Sequence, residues 1–241
     1  MNLIRKEMED YRILLRSVPS LVVTMFVVSV IMMNLLANKE LFSVKYFALD
    51  CGFVLSWISF LCMDMICKRF GAKAAAKISL LALGINLLAT LVFKLISLTP
   101  GKWGEYYSTG LTEVNDGLNA TFGGSWYVVF GSSVAMLVAA LCNSFLNHAI
   151  AKGLKNVGYR DFALRSFIST GIAQFVDNLT FALIVSYHFF GWTAAQVLLC
   201  SITGAVAELL CEVLFSPIGY RVCCRWEAEN VGEQYLDYAV S

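Results

Sequence analysis

Charge is scarce in this chain: Asp, Glu, Lys and Arg make up 15% of its 241 residues, against about 25% in ordinary soluble domains. Proline (three) and histidine (two) are scarcer still. The formal net charge of +1 excludes a strongly basic nucleic-acid binder and a polyacidic tail protein. Eight cysteines are present but form no CxxC pair and have no histidine at metal-ligand spacing. Neither a disulfide framework nor a zinc site is expected, and no metal or cofactor is implied. No linker, low-complexity tract or second domain interrupts the chain. What is abundant is apolar: 59% of residues are hydrophobic and the mean hydropathy is +0.70. A water-soluble core cannot absorb that much apolar sequence and leave enough polar surface to cover it.

Crossing a bilayer takes about 20 predominantly apolar residues in a helix. Six runs of that kind lie near residues 18–37, 46–66, 75–97, 126–150, 164–189 and 195–220. Lipid cannot satisfy free backbone groups, and the alternation of barrel strands is absent, so the runs are read as helices. The expectation is an all-α polytopic membrane protein: one integral domain over residues 1–241, held in the lipid bilayer of a cytoplasmic (inner) membrane. The apolar run after Arg16 is too long for a signal-peptide core and is read as a retained span.

Basic residues fix the orientation. Arg5, Lys6, Arg12 and Arg16 precede the first span, Lys68, Arg69, Lys73 and Lys77 follow the second, Lys152, Lys155, Arg160 and Arg165 follow the fourth, and Arg221 and Arg225 follow the sixth. The other side holds only Lys39, Lys45 and Lys102, with Lys94 inside the third span. The positive-inside rule places both termini in the cytoplasm. The outer connection 98–125, with Trp103, Tyr106 and Tyr107, reads as an aromatic interface belt or a lid.

Ionisable groups inside a span cost about 2.5–3.5 kcal/mol near the bilayer centre on insertion scales. Five carboxylates fall there: Asp50, Asp64, Asp177, Glu208 and Glu212. Thr170, Gln174, Asp177 and Phe181 recur at steps of four, three and four on the fifth span. That stripe suits a flat, donor-rich heterocycle, with a carboxylate to accept from its N–H groups, an amide for a mixed edge and a ring to stack on it. Glu208 and Glu212 are neighbours on one face of the sixth span. Two carboxylates held close in a low dielectric resist joint ionisation, which makes the pair a candidate proton relay or cation counter-charge. Asp50, Trp57 and Asp64 recur every seven residues along the second span. Asn34, Asn86 and Asn143, with Asn147 and His148, add neutral hydrogen-bonding groups from other helices. Pro217 is expected to end or bend the last span.

These motifs resemble the queuosine-precursor transporter family, also labelled vitamin uptake transporters. The likeness is carried by Asn34-Leu-Leu-Ala-Asn-Lys39, Asp64 seven residues before Gly71, Asn86, Arg165, Ser169-Thr170 followed by Gln174, Asp177 and Phe181, and Ser216-Pro217. It runs from about residue 18 to 221. The resemblance implies a six-helix arrangement like the substrate-binding subunits of energy-coupling-factor vitamin transporters. It also implies uptake of a 7-deazapurine such as queuine, preQ1 or preQ0 for tRNA modification. Asn34, Asp64, Gln174 and Asp177 would then be substrate or gating residues. The chain departs from the family pattern at Ala140, Asn143 and Lys68, and at Glu208, which stands where many members carry Lys.

The leading expectation is therefore a small-molecule transporter with substrate residues Asn34, Asp64, Asn86, Asn143, Gln174, Asp177, Phe181 and Glu208. Coupling would run through protons at Glu208 and Glu212, or through association with an energy-coupling ATPase module. Another vitamin or nucleobase-like cargo is the alternative. An intramembrane hydrolase using Ser132 or Ser133 with His188 lacks the motifs such enzymes need, so no enzyme activity and no catalytic residue is expected. A channel leaves mid-span acids on two adjacent helices unexplained.

Overall fold

Many large apolar side chains face outward in this protein, and a set of polar ones is buried beside the apolar core of Phe26, Phe60, Ile66 and Phe70. Leu88, Leu91 and Leu95 on one helix, and Leu210, Leu214 and Ile218 on another, are exposed. Asn34, Asp64, Asn86, Gln174, Glu208 and Glu212 are buried, each at 6% exposure or less. Such a surface is satisfied by lipid and not by water.

The computed structural model describes residues 2–99, 112–151 and 158–240. In chain order the elements are α1 (Asn2–Ser17), α2 (Ser20–Leu36), strands β1 (Glu40–Val44) and β2 (Phe47–Asp50), α3 (Phe53–Phe70), α4 (Ala72–Ser97), α5 (Thr112–Gly124), α6 (Trp126–Ala151), α7 (Gly158–Phe181), α8 (Ala194–Ala228) and α9 (Glu233–Val240). A π-helical stretch, Ala182–Ser186, and a short turn, Tyr187–Phe189, continue α7 outward. By length and composition four helical segments among the described residues can cross a membrane, Ala72–Ser97, Glu113–Asn143, Phe167–Phe189 and Ala194–Ala228. A fifth is reached if α1 and α2, bent by 107°, count as one span. Helix α3 carries Asp64, Lys68 and Arg69 within its 18 residues, yet it is central, packing against α2, α4 and α8.

Four expectations change. The helix of the second expected span, α3, starts at Phe53 and not near residue 46, because residues 40–50 form an antiparallel hairpin in which Phe42 faces Leu49 and Val44 faces Phe47. Asp50 therefore sits at the end of β2 and not on the Trp57–Asp64 stripe. A continuous apolar run hides this change, since periodicity cannot separate a short buried strand from a helix. Pro217 does not end α8. Its missing N–H would leave the Val213 carbonyl unpaired, and the Ser216 hydroxyl donates to that carbonyl at 3.2 Å instead, as membrane helices permit. Part of the outer connection is helix α5, while Trp103, Tyr106 and Tyr107 lie outside the described residues, as do Lys152, Lys155 and the side chains of Asn147, His148 and Arg165. Finally, Lys77 is no free member of a basic rim. It is buried, bonded to Glu7 at 2.6 Å and to Asp10.

That ion cluster clamps α1 across the end of α4. Tyr11 adds a bond from its hydroxyl to the Lys77 carbonyl at 3.2 Å. Beside it, α9 folds back so that Tyr235, 2% exposed, meets Phe70 edge-on. Lys68 pairs with Glu227 at 3.2 Å, and Arg69 donates to the Val231 carbonyl at 3.0 Å. These contacts tie α1, α9 and the ends of α3, α4 and α8 together at this end of the bundle. Its opposite end, beneath the hairpin, contains a cavity.

Candidate functional site

The cavity lies where α2, the hairpin, α3, α6, α7 and α8 converge. Its volume is about 130 Å³, many times the ~10–15 Å³ one water needs. Each element supplies a side chain for a local reason. Asn34, on the last turn of α2, is 3% exposed and donates back to the Val30 carbonyl at 2.8 Å, which aligns its amide beside the cavity. Asp50 receives the Gly52 and Phe53 N–H groups at 2.7 and 3.3 Å, capping the first turn of α3. Burial raises the Asp50 carboxyl above its ordinary value, and the two backbone bonds oppose that shift. Gly52 is required at this turn, because a Cβ there would lie 2.5 Å from the Met33 carbonyl oxygen.

Glu208 is held at both of its carboxylate oxygens. One oxygen accepts from the Ser56 hydroxyl and the other from the Asn178 amide at 3.0 Å. The same Asn178 nitrogen reaches the Gln174 carbonyl at 2.9 Å. The backbone opposite has no room to spare: a Cβ on Gly204 would fall 2.7 Å from Asn178 Oδ1. Asp177 is only partly buried and opens on the cavity within electrostatic reach of Glu208 and Asp50. It forms no hydrogen bond among the described residues. Phe181, Phe190 and Trp192 form apolar wall, and the π-helical stretch brings Ala182 and Ser186 to the lining. Such stretches interrupt helices mostly at functional positions.

A second polar cluster lies deeper and does not line the cavity. Thr170 donates to Asp64 at 3.0 Å, and the Gln174 amide to Glu212 at 3.4 Å. Gln174 Oε1 is buried with no hydrogen-bond partner among the described residues. A ladder at steps of four joins the two regions, Thr170, Gln174 and Asn178 on α7 beside Gly204, Glu208, Glu212 and Ser216 on α8. Glu208 and Glu212, adjacent in the helix, thus have different partners. Asn86 and Asn143 are buried away from the cavity, at 1% and 3% exposure.

Of the sequence-derived residues, Asn34, Asp177, Phe181 and Glu208 meet at the cavity, whereas Asp64, Gln174 and Glu212 belong to the deeper cluster. Sequence reasoning missed Asn178, Ser56, Glu40 and Trp192. Asn178 had a signal, since it stands four residues after Gln174. The hairpin's contribution had none. Ser132 lines the cavity, Ser133 is buried and His188 is exposed. No serine–histidine bond occurs among the described residues.

Over residues 50–222, more than two-thirds of the chain, the sequence matches a family model described as "Putative vitamin uptake transporter". Comparison with curated proteins and with solved structures gave no match.

Proposed function

The chain belongs to this vitamin uptake transporter family, and from that premise we propose that it imports a queuosine precursor, a 7-deazapurine, through the cavity beneath the hairpin. Family membership makes it a multi-pass membrane transporter for a small molecule and not an enzyme. The cargo, six spans with both termini in the cytoplasm of a cell with an inner membrane, and a link to tRNA modification are the finer proposal.

One observation carries it: Asp177 opens on the cavity without a protein hydrogen bond among the described residues, next to the ring of Phe181. A guanine-like edge presents an N–H beside an amino group, and a carboxylate accepts from both at once. The aromatic wall covers the flat face of the same ring. Asn34 adds an amide at the rim, and Glu208 a second acceptor. The deeper cluster of Asp64, Thr170, Gln174 and Glu212 lies on the way inward and is assigned to gating or coupling, with protons exchanged along the Glu208–Glu212 face of α8.

Uptake of a labelled deazaguanine into liposomes holding the purified protein tests this. Saturable accumulation, competed by excess unlabelled compound and absent from empty liposomes, is the expected result. Equal label in protein-containing and empty liposomes overturns the cargo assignment.

A further inference from the structure

Helix α1 lies outside the residues matched by the family model, 50–222, and its outward face takes part in neither the cavity nor the ion cluster at Lys77. The bend of 107° between α1 and α2 lays α1 nearly flat against a membrane that α2 enters, at the end of the bundle that the positive-inside rule assigns to the cytoplasm. Its inner face is held by protein: Asp10, Leu14 and Ser17, at steps of four and three, are buried, and Asp10 meets Lys77 on the side of α4. Lys77 stands three residues before Leu80, which is 49% exposed and is the first large apolar side chain that α4 turns outward. Three residues of helix rise about 5 Å, so α1 runs close to where hydrocarbon begins. Beyond the bend, Leu21 on α2 is 69% exposed. The two leucines set α1 at headgroup depth and not out in the cytosol.

The outward face has two stripes. Arg5, Arg12 and Arg16, at steps of seven and four, are exposed and make no ion pair among the described residues. Beside them Met8 and Leu15, seven apart, are 68% and 41% exposed. Against three cations this face sets one acid, Glu9. A helix lying along a bilayer with an apolar stripe next to cations binds an anionic surface: the apolar side chains enter the headgroup–acyl boundary, and guanidinium groups grip phosphate oxygens two at a time. We infer that the outward face of α1 is a binding surface for anionic phospholipid of the inner leaflet, with headgroup phosphates on Arg5, Arg12 and Arg16 and the acyl boundary on Met8 and Leu15. An acidic protein segment would suit the arginines, but lipid is the partner that places an apolar edge at the depth of Met8 and Leu15. The inference depends on neither the cargo nor the cavity.

Peptide-resolved hydrogen exchange of the full chain in lipid nanodiscs tests it, comparing phosphatidylcholine alone with a mixture of phosphatidylcholine and phosphatidylglycerol. Exchange over residues 5–17 is expected to slow about tenfold or more in the mixture, because three cations add their attraction to the anionic surface and hold the helix down. Exchange in α7 should stay the same. The combined change Arg5→Gln, Arg12→Gln and Arg16→Gln should remove the difference, and Arg5→Lys, Arg12→Lys and Arg16→Lys, which keeps the charge, should retain it. Wild-type exchange in the other helices shows that each variant is folded, and the wild-type lipid comparison decides without them. Equal exchange of α1 in the two lipids overturns the inference, as does a slowing that survives the glutamine variant. Slowing of α1 by added polyglutamate in phosphatidylcholine, with no effect of phosphatidylglycerol, would overturn it in favour of an acidic protein partner. Each of these results leaves the cargo proposal standing.

Discussion

Replacing Gly204 by alanine adds one methyl group and should disturb the cavity through a single contact. The new Cβ would lie 2.7 Å from Asn178 Oδ1 and 3.4 Å from its Cγ, so the amide must swing away. Its 3.0 Å bond to Glu208 is then lost. A hydrogen bond to a charged group is worth about 1.5–3 kcal/mol, and an extra methyl in a packed site costs about 1–3 kcal/mol. The helix propensity of alanine over glycine returns about 1 kcal/mol. The net expectation is destabilisation of about 1.5–5 kcal/mol together with weaker ligand binding, combining those contributions. Gly84 is the control: a Cβ there meets nothing within 4 Å, so Gly84→Ala should be neutral or stabilising by up to about 1 kcal/mol. Unfolding of the purified variants in one detergent measures both. A double-mutant cycle with Asn178→Ala adds the specific test, since without the amide the methyl has nothing to displace and the two changes should be strongly non-additive. If Gly204→Ala is as stable as Gly84→Ala, or adds fully to Asn178→Ala, the reasoning is refuted.

Other perturbations probe other parts of the molecule. Ser216→Ala removes the hydroxyl that bonds the Val213 carbonyl and should cost about 0.5–1.5 kcal/mol in an unfolding measurement. Pro217→Ala in that background should recover the loss by restoring the backbone N–H. Lys77→Met leaves Asp10, 4% exposed, with only the exposed Lys73 at 3.6 Å and should cost about 1.5–3 kcal/mol, the worth of a hydrogen bond to a charged group. Adding Asp10→Asn should recover much of that cost, and unchanged stability of the single variant would contradict the clamp. Asp50→Ala deprives the first turn of α3 of its cap and should lower stability by about 0.5–2 kcal/mol. Uptake should fall when the proton gradient is collapsed by an ionophore, and Glu212→Gln should remove that sensitivity; gradient-independent uptake by the wild type would end the proton assignment.

Much of this architecture is legible in the sequence because lipid permits few solutions. Apolar runs of spanning length must be helices, and the acids at 177 and 208 cannot face lipid, so both turn toward a shared interior. The hairpin was invisible for the opposite reason. Residues 46–66 read as one apolar run, and neither Lys45 nor Tyr46 is a turn residue that would announce a reversal. Asp50 kept its place at the site through β2 and not through a helical stripe. The rule that proline ends a helix is written for water-exposed helices, and the Ser216 hydroxyl next to Pro217 suspends it here. The split of the mid-span acids into two clusters follows from which neighbour each one meets. Glu208 meets Ser56 and Asn178, Glu212 meets Gln174, and helical spacing alone says only that the two acids share a face.

The central claim is that cargo occupies the cavity beneath the hairpin, between Asp177, Glu208 and Phe181. A structure of the protein determined with a bound deazaguanine tests it most directly. The account expects the ring against Phe181 and its N–H edge within hydrogen-bond distance of the Asp177 carboxylate. Ligand resting on the deeper Asp64–Glu212 cluster, or a cavity left empty while ligand binds elsewhere, would contradict it.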